Sequence, residues 1–206
     1  MKSRITWFIG ATIAIVVAVA FVVALTATED ADTSAPDALA EIQPVTVTGM
    51  ALPEYSPEVV DPAIGMDAPV LDGLGFTGNR VTTAPGAPTL MVFLAHWCQH
   101  CQYEVPQLVR WSAAAEFPST LDVVAVATST DPANPNYPPS EWLAAEEWPP
   151  LWPVLADDAD GSAAKAFGLS GFPFLVLTDA EGKVLWRHSG RIAAEDLSKA
   201  ITSLLG

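Results

Sequence analysis

The longest feature in the hydrophobicity pattern is an uncharged run from Ile5 to Leu25, ITWFIGATIAIVVAVAFVVAL. It is apolar on every face, which argues against a buried helix of a soluble domain. At 1.5 Å per residue it spans roughly 31 Å as a helix, enough to cross a bilayer core. The next stretch, TATEDADTSAPDALAEIQP, is rich in Ala, Thr, Asp and Glu, lacks aromatics, and predicts a disordered tether. VTVTGM then reads as a short strand and ALPEYSPEVVDPAIG as a Pro-rich extended piece.

From about Ile64 the pattern alternates between strand and helix signals. Val70–Leu71 and Asn79–Val81 flank a Gly-rich turn. The continuous apolar runs TLMVFL (Thr89 to Leu94) and LDVVAVA (Leu121 to Ala127) predict buried central strands. Between them a helix is expected from the cysteines to about Glu116. Val105, Leu108, Val109 and Ser112 would share its inner face, and Pro106 would kink it. After a polar Pro/Asn loop, Ser140 is expected to cap a short helix, EWLAAEEW, ended by Pro149 and Pro150. A strand over Trp152 to Leu155 and a helix over Ser162 to Phe167 follow. Phe174–Leu177 and Val184–His188 form a hairpin around Asp179-Ala180-Glu181-Gly182. Leu197, Ala200, Ile201 and Leu204 mark a final amphipathic helix. This order predicts an α/β domain whose central mixed sheet is covered by helices on both faces. The organisation expected is a stub and transmembrane anchor over residues 1–25, a tether and extended segment over 26–60, and the domain over 61–206.

Charge orients the chain. Lys2 and Arg4 precede the apolar run, and Glu29, Asp30 and Asp32 follow it, so the N-terminus is expected in the cytoplasm and the domain outside it. A cleaved signal peptide is the competing reading, with Ala18-Val19-Ala20 as the cleavage site. The apolar run continues to Leu25, which favours the anchor, and both readings export the domain. The net charge of −15 argues against nucleic acid and anionic lipid as partners and suits solubility.

The only two cysteines lie in HWCQHC, His96 to Cys101. In an exported protein they can form a Cys98–Cys101 disulfide, but so small a loop would add little stability, which favours chemistry over stapling. Covalent haem attachment needs a histidine directly after the second cysteine, and Gln102 stands there. A structural zinc site needs four ligands, and besides the two thiols only His96 or His100 lies near in sequence. Zinc or copper stays open as a minor alternative. The redox reading fits the context best. The pair follows a buried strand and opens a helix, where unpaired N–H groups favour a thiolate at Cys98. Cys98 would attack a substrate disulfide and Cys101 would resolve the mixed disulfide.

FLAHWCQHCQYEVP resembles the active site of thioredoxin-like proteins, in particular the membrane-anchored TlpA/ResA-like branch. The resemblance covers roughly residues 61 to 206. IGMDAP resembles the branch's entry motif, Glu104 and Pro106 its Cys-x-x-Glu-x-Pro continuation, GFPF its cis-proline loop, and DAEGKVLWRHSG its closing hairpin. It implies a thioredoxin-like fold and a cis bond before Pro173. It also implies substrate contacts from Trp97, Phe172 and Pro173. Val92 stands where thioredoxin has a buried aspartate, so Glu104 becomes the candidate base for Cys101. Phe172 and Phe174 offer either an apolar rim or core packing. His100 resembles the residue before the second cysteine in DsbA-like oxidases and would tune Cys98. His96 would do the same or pack beside Trp97, and His188 is expected to be structural.

The function expected is extracytoplasmic thiol–disulfide exchange, without cofactor or metal. Its partners would be exported protein thiols or disulfides and a membrane redox partner. The resemblance extends this to reducing apocytochrome thiols before haem attachment. A DsbA-like oxidase or isomerase tuned by His100, and a metal-binding module on the same fold, are the alternatives. A peroxidase is disfavoured because Ala95 stands where peroxiredoxins carry threonine.

Overall fold

A computed structural model describes residues 40–114 and 117–206. The anchor expected over Ile5–Leu25 lies outside the described residues. Among those that are described, no helix is long and apolar enough to cross a membrane.

The domain is built on a five-stranded mixed sheet in the order β6-β5-β4-β7-β8. Its strands are β4 (Thr89–Leu94), β5 (Asp122–Ala127), β6 (Val154–Ala156), β7 (Phe174–Thr178) and β8 (Val184–Ser189). β4, β5 and β6 are parallel, and β7 and β8 form the antiparallel hairpin. The helices are α1 (Gln99–Ser112), α2 (Pro139–Ala145), α3 (Ser162–Ala166) and α4 (Ala194–Leu205). A second, antiparallel sheet joins β1 (Thr46–Thr48), β2 (Val70–Leu74) and β3 (Arg80–Thr82).

The period of two in β4 divides the core. Leu90, Val92 and Leu94 face a cluster with Cys101, Val105 and Leu108 of α1, Trp142 and Leu143 of α2, and Leu197 and Ile201 of α4. Met91 and Phe93 face the other cluster, with Ala163, Ala164 and Phe167 around α3 and with Leu71 and Val81 from the small sheet. With both faces covered, every residue of β4 is buried, as its unbroken apolar run requires.

Several boundaries differ from expectation. α1 ends at Ser112 because its last bonds tighten to Ala113 N–H on the Arg110 carbonyl and Ala114 N–H on that of Trp111. The helix runs on through Pro106, and its buried stripe is Cys101, Glu104, Val105, Leu108 and Trp111. Ser140 does not cap α2. Pro139 opens that helix, where its fixed φ is already helical. The backbone N–H and hydroxyl of Ser140 bind the Glu41 carboxylate instead, at 2.9 and 2.5 Å. α2 closes before the prolines in a Schellman motif, with Glu147 at φ 58° and Trp148 N–H on the Leu143 carbonyl. Trp152 is not part of β6. It is buried in an aromatic group with Trp111, Phe117 and Trp148.

The stretch from Val45 to Asp61 is largely extended, as expected, and runs over the domain surface, whereas Ala40 to Pro44, expected in a disordered tether, is also tied to the domain, with Gln43 N–H on the Asp157 carbonyl and Glu41 on Ser140. Ala40 N–H meets the Phe76 carbonyl, β1 pairs with β2, and Leu52 N–H meets the Ala166 carbonyl. Its final clamp is Arg187 on β8, 2% exposed. The guanidinium makes a bidentate pair with Asp61 at 2.5 and 2.8 Å and donates to the carbonyls of Pro53 and Phe167. Burial alone would raise the Asp61 carboxyl, but the Arg187 bonds, the Ala63 N–H and the Arg187 charge together outweigh that and hold it below its ordinary range.

Candidate active site

The loop from β4 into α1 places HWCQHC just beyond the C-terminal end of the central strand. Cys98 is the N-cap of α1 and is half-buried, and no side-chain capping bond occupies its sulfur. The Sγ points at the Phe172 carbonyl, 3.9 Å away. The peptide bond between Phe172 and Pro173 is cis, as the resemblance implied. Pro173 is buried, and its carbonyl receives the Gly190 N–H at 2.8 Å. The α1 terminus and the loop before β7 thus meet at Cys98.

Cys101 lies one turn inside α1 and is fully buried. Burial pushes its thiol well above the ordinary value, and negative charge on Cys98 and Glu104 would push it further. Both cysteines are in the thiol form here. Glu104, one turn further on, is 1% exposed, so a reading of it as an ordinary solvated helix residue fails. Burial raises its carboxyl to about 7, although the Ile192 N–H and the Arg191 charge pull it back. That N–H reaches Oε2 at 3.4 Å. Arg191 is held nearby by stacking on the Tyr103 ring, 3.2 Å from the centroid. Val92 lies in the same buried cluster as Cys101, so no carboxylate approaches the thiol from β4.

Trp97 lies over the mouth of the site. Its indole N–H donates to the Ser129 carbonyl at 2.8 Å, and its ring meets Phe172 edge-on at 5.7 Å. The two phenylalanines separate: Phe172 is half-buried at the rim, whereas Phe174 is fully buried against Phe93 and Tyr55. His100 is exposed on the first turn of α1. His96 is 1% exposed, with both ring nitrogens engaged by the loop after β5. His188 stacks on Trp186 and bonds the Arg191 carbonyl. Among the described residues, no three His, Cys, Asp or Glu side chains gather at metal-ligand spacing.

The structure therefore brings together Trp97, Cys98, Cys101, Glu104, Phe172 and Pro173, and leaves His100 at the surface. The sequence did not indicate the Arg191–Ile192 cover over Glu104, the Phe172 carbonyl as the partner of Cys98, or the His96 anchor. Nor did it indicate a second cis bond, before Pro138. The Pro-dense DPANPNYPPS beside the redox stretch was the one available signal for that loop.

The sequence profile described as Redoxin matches residues 49–204. The chain belongs to the Redoxin family. It is 29% identical over 156 residues to a thiol:disulfide interchange protein DsbE homolog of Paracoccus denitrificans, covering 73% of this chain and 80% of that protein. It is 25% identical over 144 residues to the thiol-disulfide oxidoreductase ResA of Geobacillus thermodenitrificans, covering 69% and 78%. Among solved structures it is similar to a Chlorobium tepidum protein assigned as the thiol:disulfide interchange protein DsbE, with 28% identity and a TM-score of 0.55, covering 69% of this chain and 98% of that one. The fold is thioredoxin-like, and the resemblance to the TlpA/ResA-like branch stands.

Proposed function

We propose that this Redoxin-family protein is a thiol–disulfide oxidoreductase of the DsbE/ResA type, with Cys98 and Cys101 as its redox pair. One observation carries the assignment of roles: the two thiols, three residues apart, have opposite surroundings. Cys98 is accessible at a helix N-terminus, and Cys101 is buried against a carboxyl poised near neutrality.

The chemistry follows from that asymmetry. The Cys98 thiolate attacks one sulfur of a substrate disulfide. A Cys98–substrate bond forms, the substrate S–S bond breaks, and the first substrate thiolate leaves and takes a proton from water. The positive end of α1 stabilises negative charge on Cys98 in both directions of the step. The Cys101 thiol then passes its proton to Glu104, and its sulfur attacks Sγ of Cys98. The second substrate sulfur leaves as a thiolate and takes a proton from water, and the enzyme holds the Cys98–Cys101 disulfide. Two electrons have moved from the enzyme to the substrate. Trp97 and Phe172 form the surface on which an extended segment of substrate would lie, while buried Pro173, through its cis bond, sets the Phe172 backbone beside the attacking sulfur.

The finer reading is that the domain works outside the cytoplasm on exported proteins, behind the anchor expected at Ile5–Leu25. A membrane redox partner would return the electron pair to the oxidised enzyme. Reduction of apocytochrome thiols is the substrate reading that the DsbE and ResA names of the relatives support. The oxidase alternative rested on His100, and its exposed position gives it no added support.

Insulin reduction followed by turbidity tests the assignment. Cys98→Ala is expected to abolish exchange, and Cys101→Ala to accumulate a mixed disulfide visible on a non-reducing gel. Full activity in the Cys98 variant would remove Cys98 as nucleophile.

A further inference from the structure

His96 is the residue before Trp97-Cys98, and every one of its polar groups beyond its own backbone N–H is tied. Its Nδ1–H donates to the Pro135 carbonyl at 2.6 Å, and its Nε2 accepts the Asp131 N–H at 3.2 Å. One donor and one acceptor on the ring correspond to the neutral Nδ1–H tautomer. The His96 carbonyl takes the side-chain amide of Gln102, on α1, at 3.2 Å and that of Asn136 at 3.1 Å. The peptide that presents the redox pair is thus joined to α1 on one side and to the 129–138 loop on the other.

That loop returns to the site through a separate contact, because the Ser129 carbonyl accepts the Trp97 indole N–H. Trp97 meets Phe172 edge-on, and the Phe172 carbonyl faces Cys98. The contacts form a closed ring: His96, the loop, Trp97, Phe172, Cys98. The loop itself contains no helix or strand before α2, and Ser129 and Asn136 take positive φ. Its Asp131 carboxylate bonds only within the loop, to Ala133 and Asn134. The imidazole makes two of the side-chain bonds that tie this segment to the rim of the site, beside single bonds from the Trp97 indole and the Asn136 amide. Tyr137, 45% exposed, packs edge-on against the imidazole and borders it.

We propose that His96 is a positioning residue that holds the 129–138 loop as a second wall of the substrate groove, joined through Trp97 to the wall made by Phe172. The substrate class it serves is an extended polypeptide, long enough to touch both walls. This rests on the reading of Cys98 as the nucleophile. His96 acts on recognition and leaves the intrinsic reactivity of Cys98 to the α1 terminus.

Two conservative variants divide the imidazole's bonds. In His96→Asn the amide nitrogen falls near Nδ1 and keeps a donor for Pro135. In His96→Gln the amide oxygen reaches toward Nε2 and keeps an acceptor for Asp131. Each variant, folded by circular dichroism, is assayed for KM and kcat with insulin and for the rate of Cys98 alkylation by iodoacetamide across pH. The expected result is a KM raised about tenfold in each, the factor a single lost buried hydrogen bond corresponds to. The variants' kcat would stay within about twofold, and the alkylation profile would superimpose on that of the wild type. His96→Ala, which loses both bonds, should raise KM further. An unchanged KM in both conservative variants overturns the proposal, as does a shifted alkylation profile, which would mean that His96 acts on the thiol itself. A wild-type protein that neither alkylates at Cys98 nor reduces insulin overturns the exchange reading instead.

Discussion

Replacing Glu104 with glutamine separates what this residue costs the fold from what it gives the chemistry. The carboxyl is 1% exposed and its folded value is about 7, against an ordinary 4.5. Between those two pH values the native state binds more protons than the unfolded state, so stability falls as pH rises through the interval. At about 1.4 kcal/mol per pKa unit the accumulated penalty is roughly 3 kcal/mol above pH 8, and it vanishes below pH 4. Glutamine has the same shape, can still accept the Ile192 N–H, and carries no charge. Urea unfolding of the reduced proteins at pH 4, 5.5, 7 and 8.5 should therefore give Glu104→Gln a stability advantage that grows with pH toward roughly 3 kcal/mol. The same variant should slow resolution of the Cys98 mixed disulfide by about a hundredfold at pH 7, as expected when a general base is removed. A stability difference that stays flat with pH would show that Glu104 does not titrate in the interval, and the proton-acceptor role would fall with it.

Two further predictions concern the extended segment that wraps the domain. Arg187→Met leaves Asp61 and the carbonyls of Pro53 and Phe167 without their partner and should cost roughly 3–5 kcal/mol in urea unfolding. A loss under about 1 kcal/mol would make the clamp incidental. Because Arg187 holds the Asp61 carboxyl low, the wild type should lose this contribution as pH falls through the folded value of Asp61, and an acid titration of the variant should lack that phase. Gly168→Ala puts a Cβ 2.1 Å from the Pro53 carbonyl at a φ of +67°. It should cost at least about 2 kcal/mol and open the segment near Tyr55 to limited proteolysis; wild-type stability and protease resistance would refute the close approach.

What could be read from the sequence followed its periodic and local features. The apolar runs at Thr89–Leu94 and Leu121–Ala127 named the two central strands because strands buried on both faces carry no polar alternation. The cysteine pair at a strand-to-helix boundary, with Glu104 and GFPF in order behind it, pointed to the residues that the fold brings together as the candidate site. Two kinds of feature were not legible. Helix ends depended on distant partners: Ser140 had the chemistry of a cap, but Glu41, 99 residues away, took its donors. The polar anchors depended on tertiary geometry. Nothing in WRHS marks Arg187 for burial, and only the packing of residues 53–61 against β8 makes it a buried clamp. His96 was equally ambiguous, because its two acceptor and donor partners lie 35 and 39 residues further on.

Electrostatics within the site also orders the two attacks. Cys98, Cys101 and Glu104 form a small group in which negative charge on either neighbour makes ionisation of Cys101 harder. Two like charges about 4 Å apart repel by about 4 kcal/mol in a medium with an effective dielectric constant near 20, so the group accommodates one negative charge far more easily than two. Burial is the main reason Cys101 stays a neutral thiol, and any negative charge on Cys98 would add to it. In the proposed mechanism, attack by Cys98 would turn its sulfur into half of a neutral mixed disulfide and send the charge away on the departing thiolate. The repulsion at Cys101 drops at that moment, and a carboxylate at Glu104 stands one helical turn away to take the proton. In the proposed exchange, burial would hold Cys101 back throughout, and the added repulsion from a Cys98 thiolate would be relieved by the first attack, just when Cys101 has a mixed disulfide to resolve.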